Sequence, residues 1–424
     1  MAATKPCGCI DETIPPPQNR AMDQKNTQPE VFTGSFTQQE PIPEEGIAAA
    51  VAVMQSGRLH RYNVRGEEAG EVALLEQEFA AAMGVKYCLA VASGGYAMTT
   101  ALRALGVRPG DRVLSNAFTL APVPGAIAAV GAIPVFVGVT EALTIDLDDL
   151  EAKADRASVL LLSHMRGHIC DMDRLLAICA RYDVRVIEDC AHTMGARWRG
   201  RLSGTDGIIG CYSTQTYKHM NSGEGGFLIT NDDQVMARAV MLSGSYMLYP
   251  RHLAAPAPDV FEAVKYDTPN ISGRMDHLRA AILRPQLRVL SRKCAAWTER
   301  YRRVEAGLQG CPGLHLIPRP AEEDFVGSSF QFLLTDWAPA SVREVVARCA
   351  ARGVELKWFG AAEPAGFTSR YDSWRYAPSE PMPASDRILA GILDMRLPLT
   401  FSLEDCATLA RIIRAEVSAV YQAA

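Results

Sequence analysis

Three side chains stand where a chain of alternating strand and helix would expose reactive groups: Lys218, Asp189 and His192. Lys218 ends the run Ser213-Thr214-Gln215-Thr216-Tyr217-Lys218, and Gly223-Glu224-Gly225-Gly226 follows it. A lysine amine in a partly dry, cationic setting sheds its proton more readily, and the neutral amine can form a Schiff base with a carbonyl. A lysine alone in such a loop reads as a solvated charge; its neighbours give it weight. Asp189 closes the apolar run Val186-Ile187-Glu188. Desolvation there raises a carboxyl pKa unless a cation, such as a protonated pyridine nitrogen, faces it. The competing reading is an acid that caps the next turn. His192 follows three residues on, and an interior histidine satisfied by its neighbours is an equal reading. Ser93-Gly94-Gly95 leads from an apolar run straight into a helical pattern. Glycines admit close backbone approach, and the free N–H groups of a helix start attract anions. Such a turn recurs in many α/β proteins, so by itself it carries little.

The elements that must position these groups follow from hydrophobic periodicity. Strands are expected at Tyr87–Ala92, Arg112–Ser115, Pro134–Val139, Val159–Ser163, Val184–Glu188, Ile208–Ser213 and Gly226–Thr230. Helices are expected at Glu44–Gln55, Val72–Met83, Tyr96–Leu105, Gly125–Val130, Leu147–Ala154, Met172–Tyr182 and Gln234–Leu242. Continuous apolar strands alternating with amphipathic helices predict a mostly parallel sheet covered on both faces. In such sheets ligands bind beyond the carboxyl ends of the strands, where the reactive groups above fall. Residues 244–274 read as irregular and substrate-facing, with Tyr246, Tyr249, Arg251 and His252 as candidates for contact; Arg58, His60, Arg61 and Tyr62 are further candidates. All eight read equally well as surface or packing residues. Met275–Gln309 reads as helix with a break near Pro285. A smaller α+β unit follows, with strands at Phe330–Leu334 and Val354–Trp358 and helices at Ser341–Arg352 and Leu403–Val420. The expected organisation is a mobile arm over residues 1–40, a large domain over 41–290 and a small domain over 291–424.

Bulk properties narrow the function classes. The chain has 424 residues, 48% hydrophobic and 21% charged, with a formal net charge of −5. Lys and Arg are scattered, so a nucleic-acid partner is not expected, and an anionic substrate needs a local cluster of positive groups. No run of about 18 apolar residues predicts a membrane span, and no signal-peptide pattern opens the chain. The 11 cysteines are odd in number, and Cys88, Cys179, Cys190 and Cys211 sit in apolar runs, which suits a reducing cytoplasm. Cys7 and Cys9 lack nearby partner ligands, and no metal site is expected. The absence of Gly-x-Gly-x-x-Gly after a strand argues against a nicotinamide-dependent dehydrogenase.

In order and separation these residues resemble the DegT/StrS family of sugar aminotransferases, within the fold-type-I class. The resemblance rests on Ser93-Gly94, Glu188-Asp189-Cys190-Ala191-His192, Ser213 with Lys218, and Gly223-Glu224-Gly225-Gly226. Ser56-Gly57-Arg58-Leu59, Gly106-Val107-Arg108-Pro109-Gly110-Asp111, Asp171-Met172-Asp173 and Arg274-Met275-Asp276 extend it. It covers about residue 41 to the C-terminus and is densest between 84 and 285. The resemblance implies pyridoxal phosphate, cycling with pyridoxamine phosphate, carried on Lys218 as a Schiff base, with Asp189 on the pyridine nitrogen and His192 against the ring or its 3′-oxygen. It implies that Ser93, Gly94, Gly95 and Ser213 hold the phosphate. It further implies that the segment around Ser272 and Arg274 reaches a neighbouring subunit's cofactor in a homodimer. The implied reaction moves an amino group from L-glutamate or L-glutamine to a keto-sugar or keto-cyclitol. A dehydrating or aromatising reaction on the same scaffold, or a non-catalytic sensor, are the alternatives. Three positions depart from the family pattern: Gly95 stands in place of Thr, Leu120 in place of a ring-stacking aromatic, and Ser272 in place of Asn. Phe118 or Tyr96 could replace the missing stacking, and Asn270 the missing donor.

Overall fold

The computed structural model describes residues 1–2, 29–366 and 368–423. Its strands are β1 (Tyr87–Val91), β2 (Arg112–Asn116), β3 (Ile133–Val137), β4 (Val159–Ser163), β5 (Arg185–Asp189), β6 (Arg197–Trp198), β7 (Arg201–Leu202), β8 (Ile209–Ser213), β9 (Gly226–Thr230), β10 (His315–Leu316), β11 (Glu323–Asp324), β12 (Ser329–Leu333), β13 (Lys357–Trp358) and β14 (Ile392–Arg396). Seven form one sheet in the order β1-β9-β8-β5-β4-β2-β3. Strands β2, β3, β4, β5 and β8 run parallel, whereas β9 is antiparallel to both β1 and β8. The reversal has a local cause. No helix separates β8 from β9, so the chain turns back through the loop after Ser213 and pairs at once, as antiparallel neighbours can. That loop therefore leaves and re-enters the sheet at one edge, where β1, β4 and β5 also end.

The strand sequences fit burial on two sides. Leu89 and Val91 enter one apolar cluster with the helices Gly94–Ala104, Pro122–Ala129 and Asp233–Leu242. Their alternates Cys88 and Ala90 enter another with Glu71–Met83 and His277–Arg288. Leu160 and Leu162 of β4 join a third, with Leu147–Lys153 and Met172–Arg181. Period-two alternation thus splits each strand between two helical layers.

Several boundaries differ from expectation. The helix expected from Tyr96 begins at Gly94, because Ser93 caps it by accepting from the Tyr96 N–H at 3.1 Å. The helix expected from Gly125 begins at Pro122, a first-turn position where the missing N–H costs nothing. The long helix breaks at Val289, giving His277–Arg288 and Leu290–Leu308, with Pro285 inside the first. Residues 244–274 include a short helix, Pro258–Glu262.

A second core lies around the antiparallel sheet β10-β12-β14-β13 and the helices Leu290–Leu308, Pro339–Ala351 and Leu403–Ala423. Part of the expected mobile arm belongs to it. Residues 3–28, with Cys7 and Cys9, lie outside the described residues, but residues 29–40 are docked. Phe32 and Phe36 are 5% and 2% exposed, and their rings pack edge-on against Phe401 at 5.0 and 5.1 Å. The Phe32 N–H donates to the Arg352 carbonyl at 2.8 Å, and Glu40 pairs with Lys293 at 3.1 Å. Composition misleads here because two aromatics in a polar segment meet their apolar partner only through the fold; burying each stabilises by about 1.5–3 kcal/mol. Among the described residues no helix is long and apolar enough to cross a membrane.

Candidate active site

At the carboxyl edge of the large sheet lies a cavity of about 430 Å³, with Lys218, His192, Ser93, Ser213, Leu120 and Arg166 in its wall. Asp189 sits at the end of β5, 7% exposed. Its Oδ2 accepts from the Ser163 hydroxyl at 2.9 Å and its Oδ1 from the Ala191 N–H at 3.1 Å. Glu188, one residue earlier, points to the other face of the strand. It accepts from the N–H groups of Gly204, Asp206 and Gly207 at 2.9, 3.0 and 2.6 Å and meets His164 Nε2 at 2.9 Å. Burial works against its charge, but His164 and these backbone donors prevail and hold the carboxyl below its usual range. Of this adjacent pair of acids, Glu188 is committed to tethering the 204–207 loop, while Asp189, buried outside the cavity lining, lies near enough to Lys218 for its charge to act on that amine.

Lys218 reaches His192, with Nζ 2.8 Å from Nε2. Burial, then the charges of Arg166, Arg396 and Lys357, bring the Lys218 amine down to about 7 against the opposing pull of Asp189. Burial together with Lys218 and Arg166 keeps His192 neutral, well below its ordinary value. The two protonation states fit one hydrogen-bond pattern. The Arg166 backbone N–H donates to His192 Nδ1 at 3.4 Å, which leaves the ring proton on Nε2 to be donated to the lone pair of a neutral amine. The loop thus presents Lys218 as a nucleophile at neutral pH.

The cavity wall also includes a helix start. Gly94 and Gly95 form the first turn of the helix capped by Ser93, so their N–H groups lack intrahelical partners. A Cβ on Gly94 would lie 2.9 Å from Ser213 Cβ and 3.3 Å from the Tyr212 carbonyl, so only glycine lets the helix start meet the end of β8. A Cβ on Gly95 would meet nothing nearer than Ser93 Oγ at 3.9 Å. The departure at Gly95 is therefore not imposed by packing. Ser213 Oγ accepts from the Gln215 N–H at 3.3 Å and faces the same cavity. An amine and an anion cradle in one cavity wall, with a buried carboxylate whose charge reaches the amine, fit a phosphorylated aromatic aldehyde.

Other expected residues stand elsewhere. Leu120 lines the cavity, but neither proposed substitute for its missing ring does. Phe118 is 1% exposed and packs edge-on against Phe359 at 5.2 Å, and the Tyr96 hydroxyl donates to the Leu242 carbonyl at 3.0 Å. Ser272 is exposed and outside this cavity, its Oγ 3.1 Å from Arg274 Nη2 and 3.4 Å from the Tyr246 hydroxyl; Asn270 is exposed as well. His252 and Arg61 are buried against Glu76, with Tyr62 on His252 at 2.8 Å. Tyr249 stacks on Phe261, Arg251 donates to the Gly66 carbonyl at 3.4 Å, and Arg58 pairs with Glu68. None of these lines the cavity.

The sequence reading missed Arg166, Tyr217, Thr368, Trp374 and Arg396, all in the cavity wall. Tyr217 lies next to Lys218 and was within reach of the motif. The others arrive from a short turn after β4, from the 366–374 segment and from β14. An isolated arginine at a strand end carries no local signal.

A sheet of this order, with lysine, aspartate and a serine-capped helix start meeting at one edge, defines an aminotransferase-type α/β architecture. The chain belongs to the DegT/DnrJ/EryC1/StrS aminotransferase family, whose sequence profile matches residues 41–414. It is similar to a putative L-glutamine:3-amino-2,3-dideoxy-scyllo-inosose aminotransferase of Micromonospora echinospora, 41% identical over 169 residues, which are 39% of this chain and 40% of that protein. It is also similar to an L-glutamine:2-deoxy-scyllo-inosose aminotransferase of the same organism, 33% identical over 291 residues and 66% of each chain. These matches span less than two thirds, or just about two thirds, of the relatives' own lengths. A solved structure of 3-amino-5-hydroxybenzoic acid synthase superposes with a TM-score of 0.77 at 25% identity, covering 90% of this chain and 99% of that one.

Proposed function

We propose that this protein is a pyridoxal-phosphate-dependent aminotransferase that moves the amino group of L-glutamine or L-glutamate to a keto-cyclitol or keto-sugar. The observation that carries the reading is Lys218, hydrogen-bonded to His192, in one cavity wall with the Ser93–Gly94 helix start and near enough to buried Asp189 to feel its charge. The named relatives support L-glutamine as donor and a cyclitol as acceptor. Bound there, pyridoxal phosphate supplies an electron-accepting ring that takes up an amino group and gives it back. Lys218 would be the attachment point and the base that moves the proton at the substrate carbon. Asp189, aligned by Ser163 and Ala191, keeps a proton on the ring nitrogen. His192 orients Lys218 through Nε2. Ser93, Gly94, Gly95 and Ser213 hold the phosphate through backbone N–H groups and hydroxyls. Leu120 covers one ring face by dispersion alone.

The active unit in this reading is a homodimer. Ser272 and Arg274 lie outside their own cavity beside exposed Tyr246, Met247, Leu248 and Ile271, a placement suited to contact with a second subunit. Buried thiols without a disulfide partner suit a cytoplasmic setting.

The test is the near-visible absorption spectrum of the purified protein, before and after L-glutamine without acceptor. A lysine-bound cofactor band that converts to the amino form, absent in Lys218→Ala, is the expected result. A cofactor band unmoved by every amino donor would favour a dehydrating or aromatising reaction. Failure to take up cofactor at all would refute the proposal.

A further inference from the structure

Leu120 stands where the family has a ring, and neither Phe118 nor Tyr96 replaces it, yet the cavity does not lack aromatic side chains. Among its described lining residues Tyr217 and Trp374 carry one, besides His192. The Tyr217 ring is covered by the Arg396 guanidinium, 3.7 Å from its centroid. Trp374 is the ring left to a ligand. It comes from the stretch between β13 and the helix Pro383–Ala390, far along the chain from Lys218. Leu120 and Trp374 border one apolar cluster, that of Phe118, Phe359 and Tyr371, so both rest on the same support.

The indole is held in place. Tyr376 stacks on it, with centroids 6.0 Å apart and planes 16° from parallel. The Trp374 carbonyl accepts from the Ala377 N–H at 3.1 Å. The turn before it is tied by Ser373 Oγ, which accepts from the Arg370 N–H at 2.9 Å. Asp386 ties it again, accepting from Arg370 Nη2 at 2.6 Å and from the Tyr371 hydroxyl at 3.0 Å. A ring supported in this way loses little freedom when a ligand packs on it. Two donors beside it are unspent. Neither the Trp374 indole N–H nor the Ser369 hydroxyl has a hydrogen-bond partner among the described residues, although Ser369 is only 7% exposed. Leu120 and Pro122, which line the cavity as well, are uncharged. An aromatic plate with a few polar groups at its edge suits a ligand that is apolar on its faces and polar at its rim. A saturated six-membered ring bearing hydroxyls is such a ligand: C–H bonds cover its faces, and O–H groups project from its rim and need partners once they leave water.

We infer that Trp374 determines acceptor specificity: its indole packs on the C–H face of an uncharged polyhydroxylated six-membered ring, and Ser369 meets a hydroxyl at the rim of that ring. The inference rests on the aminotransferase reading for the reaction the ring undergoes. It adds to that reading the residue that tells the acceptor from the ring-free amino donor.

The test uses the full-length holoprotein. Two unreactive polyols, the carbocycle myo-inositol and the pyranose methyl α-D-glucoside, are titrated in labelled form by equilibrium dialysis, and L-glutamine is titrated by the cofactor absorption change. In Trp374→Leu the concentration for half-saturation by the polyol that binds is expected to rise about 10-fold, and that for L-glutamine by less than about 3-fold. In Trp374→Phe, which keeps a ring, the rise for the polyol is expected to be smaller than in Trp374→Leu. The bound polyol should also change the indole emission of the parent protein and not that of Trp374→Phe. Should Trp374→Leu fail to fold, this emission change carries the test. Equal rises for polyol and L-glutamine, no rise for the polyol, or an emission change that survives in Trp374→Phe would each overturn the assignment, as would failure of the parent protein to bind either polyol. If the parent protein takes no cofactor, the aminotransferase reading fails, while the dialysis still decides the subsite.

Discussion

Lys218 offers the sharpest quantitative prediction, because its chemistry depends on a single proton. Its amine is brought down to about 7 by burial and by Arg166, Arg396 and Lys357. At pH 7 about half of the Lys218 amines are then neutral, against roughly one in 2,500 for a lysine of ordinary pKa near 10.4. The cofactor-free protein should therefore react with an aldehyde at Lys218 about a thousandfold faster at neutral pH than a lysine of ordinary pKa would, at equal intrinsic reactivity. The assay is a short pulse with an aldehyde reagent across pH 5.5–9.5, reduction with borohydride, and peptide mass spectrometry. Labelling of Lys218 should be half-maximal near pH 7 and rise with pH. The same shift has a defined sign in stability. A lysine whose folded pKa lies below its unfolded one binds fewer protons when folded between about pH 7 and 10.4, so its contribution favours folding increasingly as pH rises through that window. A labelling midpoint above pH 9 would refute the neutral-amine reasoning and, with it, the assignment of the Nε2 proton of His192.

Three further substitutions test the cavity and the arm. Gly94→Ala should cost about 1–3 kcal/mol by overpacking against Ser213 and lower cofactor retention, whereas Gly95→Thr should leave stability within about 0.5 kcal/mol and restore a hydroxyl to the cradle, slowing cofactor loss in dialysis. Equal destabilisation of the two variants in urea would contradict the packing argument. Phe32→Ala should destabilise by about 3–5 kcal/mol in thermal or urea unfolding; an effect below about 1 kcal/mol would mean the segment is not docked in solution.

Much of this architecture was legible along the chain because the strands are buried on both sides. Val159–Ser163 and Ile208–Ser213 read as apolar runs, and each ends in the residue that faces the ligand edge. Asp189, Ser93 and Lys218 could be found for the same reason: the first ends a strand and the others lie two and five residues beyond one. What resisted reading was whatever depends on contact between distant segments. The two-residue strand Glu323–Asp324 exists only because the distant segment Arg197–Trp198 pairs with it. Phe32 and Phe36 look like stray aromatics until Phe401 closes on them. Arg166 and Arg396 resemble surface charges until β4 and β14 place them on one wall. The helix break falls at Val289, four residues past Pro285, which stands inside the first helix without ending it there.

The docking of Phe32 against Phe401 bears on how the molecule comes into being. The groove that receives residues 29–36 is lined by Arg352 and Phe401, which leave the ribosome more than three hundred residues later. At about 5–20 residues per second, the amino-terminal stretch waits at least some 15 seconds without its partner. Through that interval it must stay soluble on its own, which its polar composition permits. The last event of folding is then the return of one of the first segments made, and a chain truncated near its carboxyl end would leave both ends unsealed.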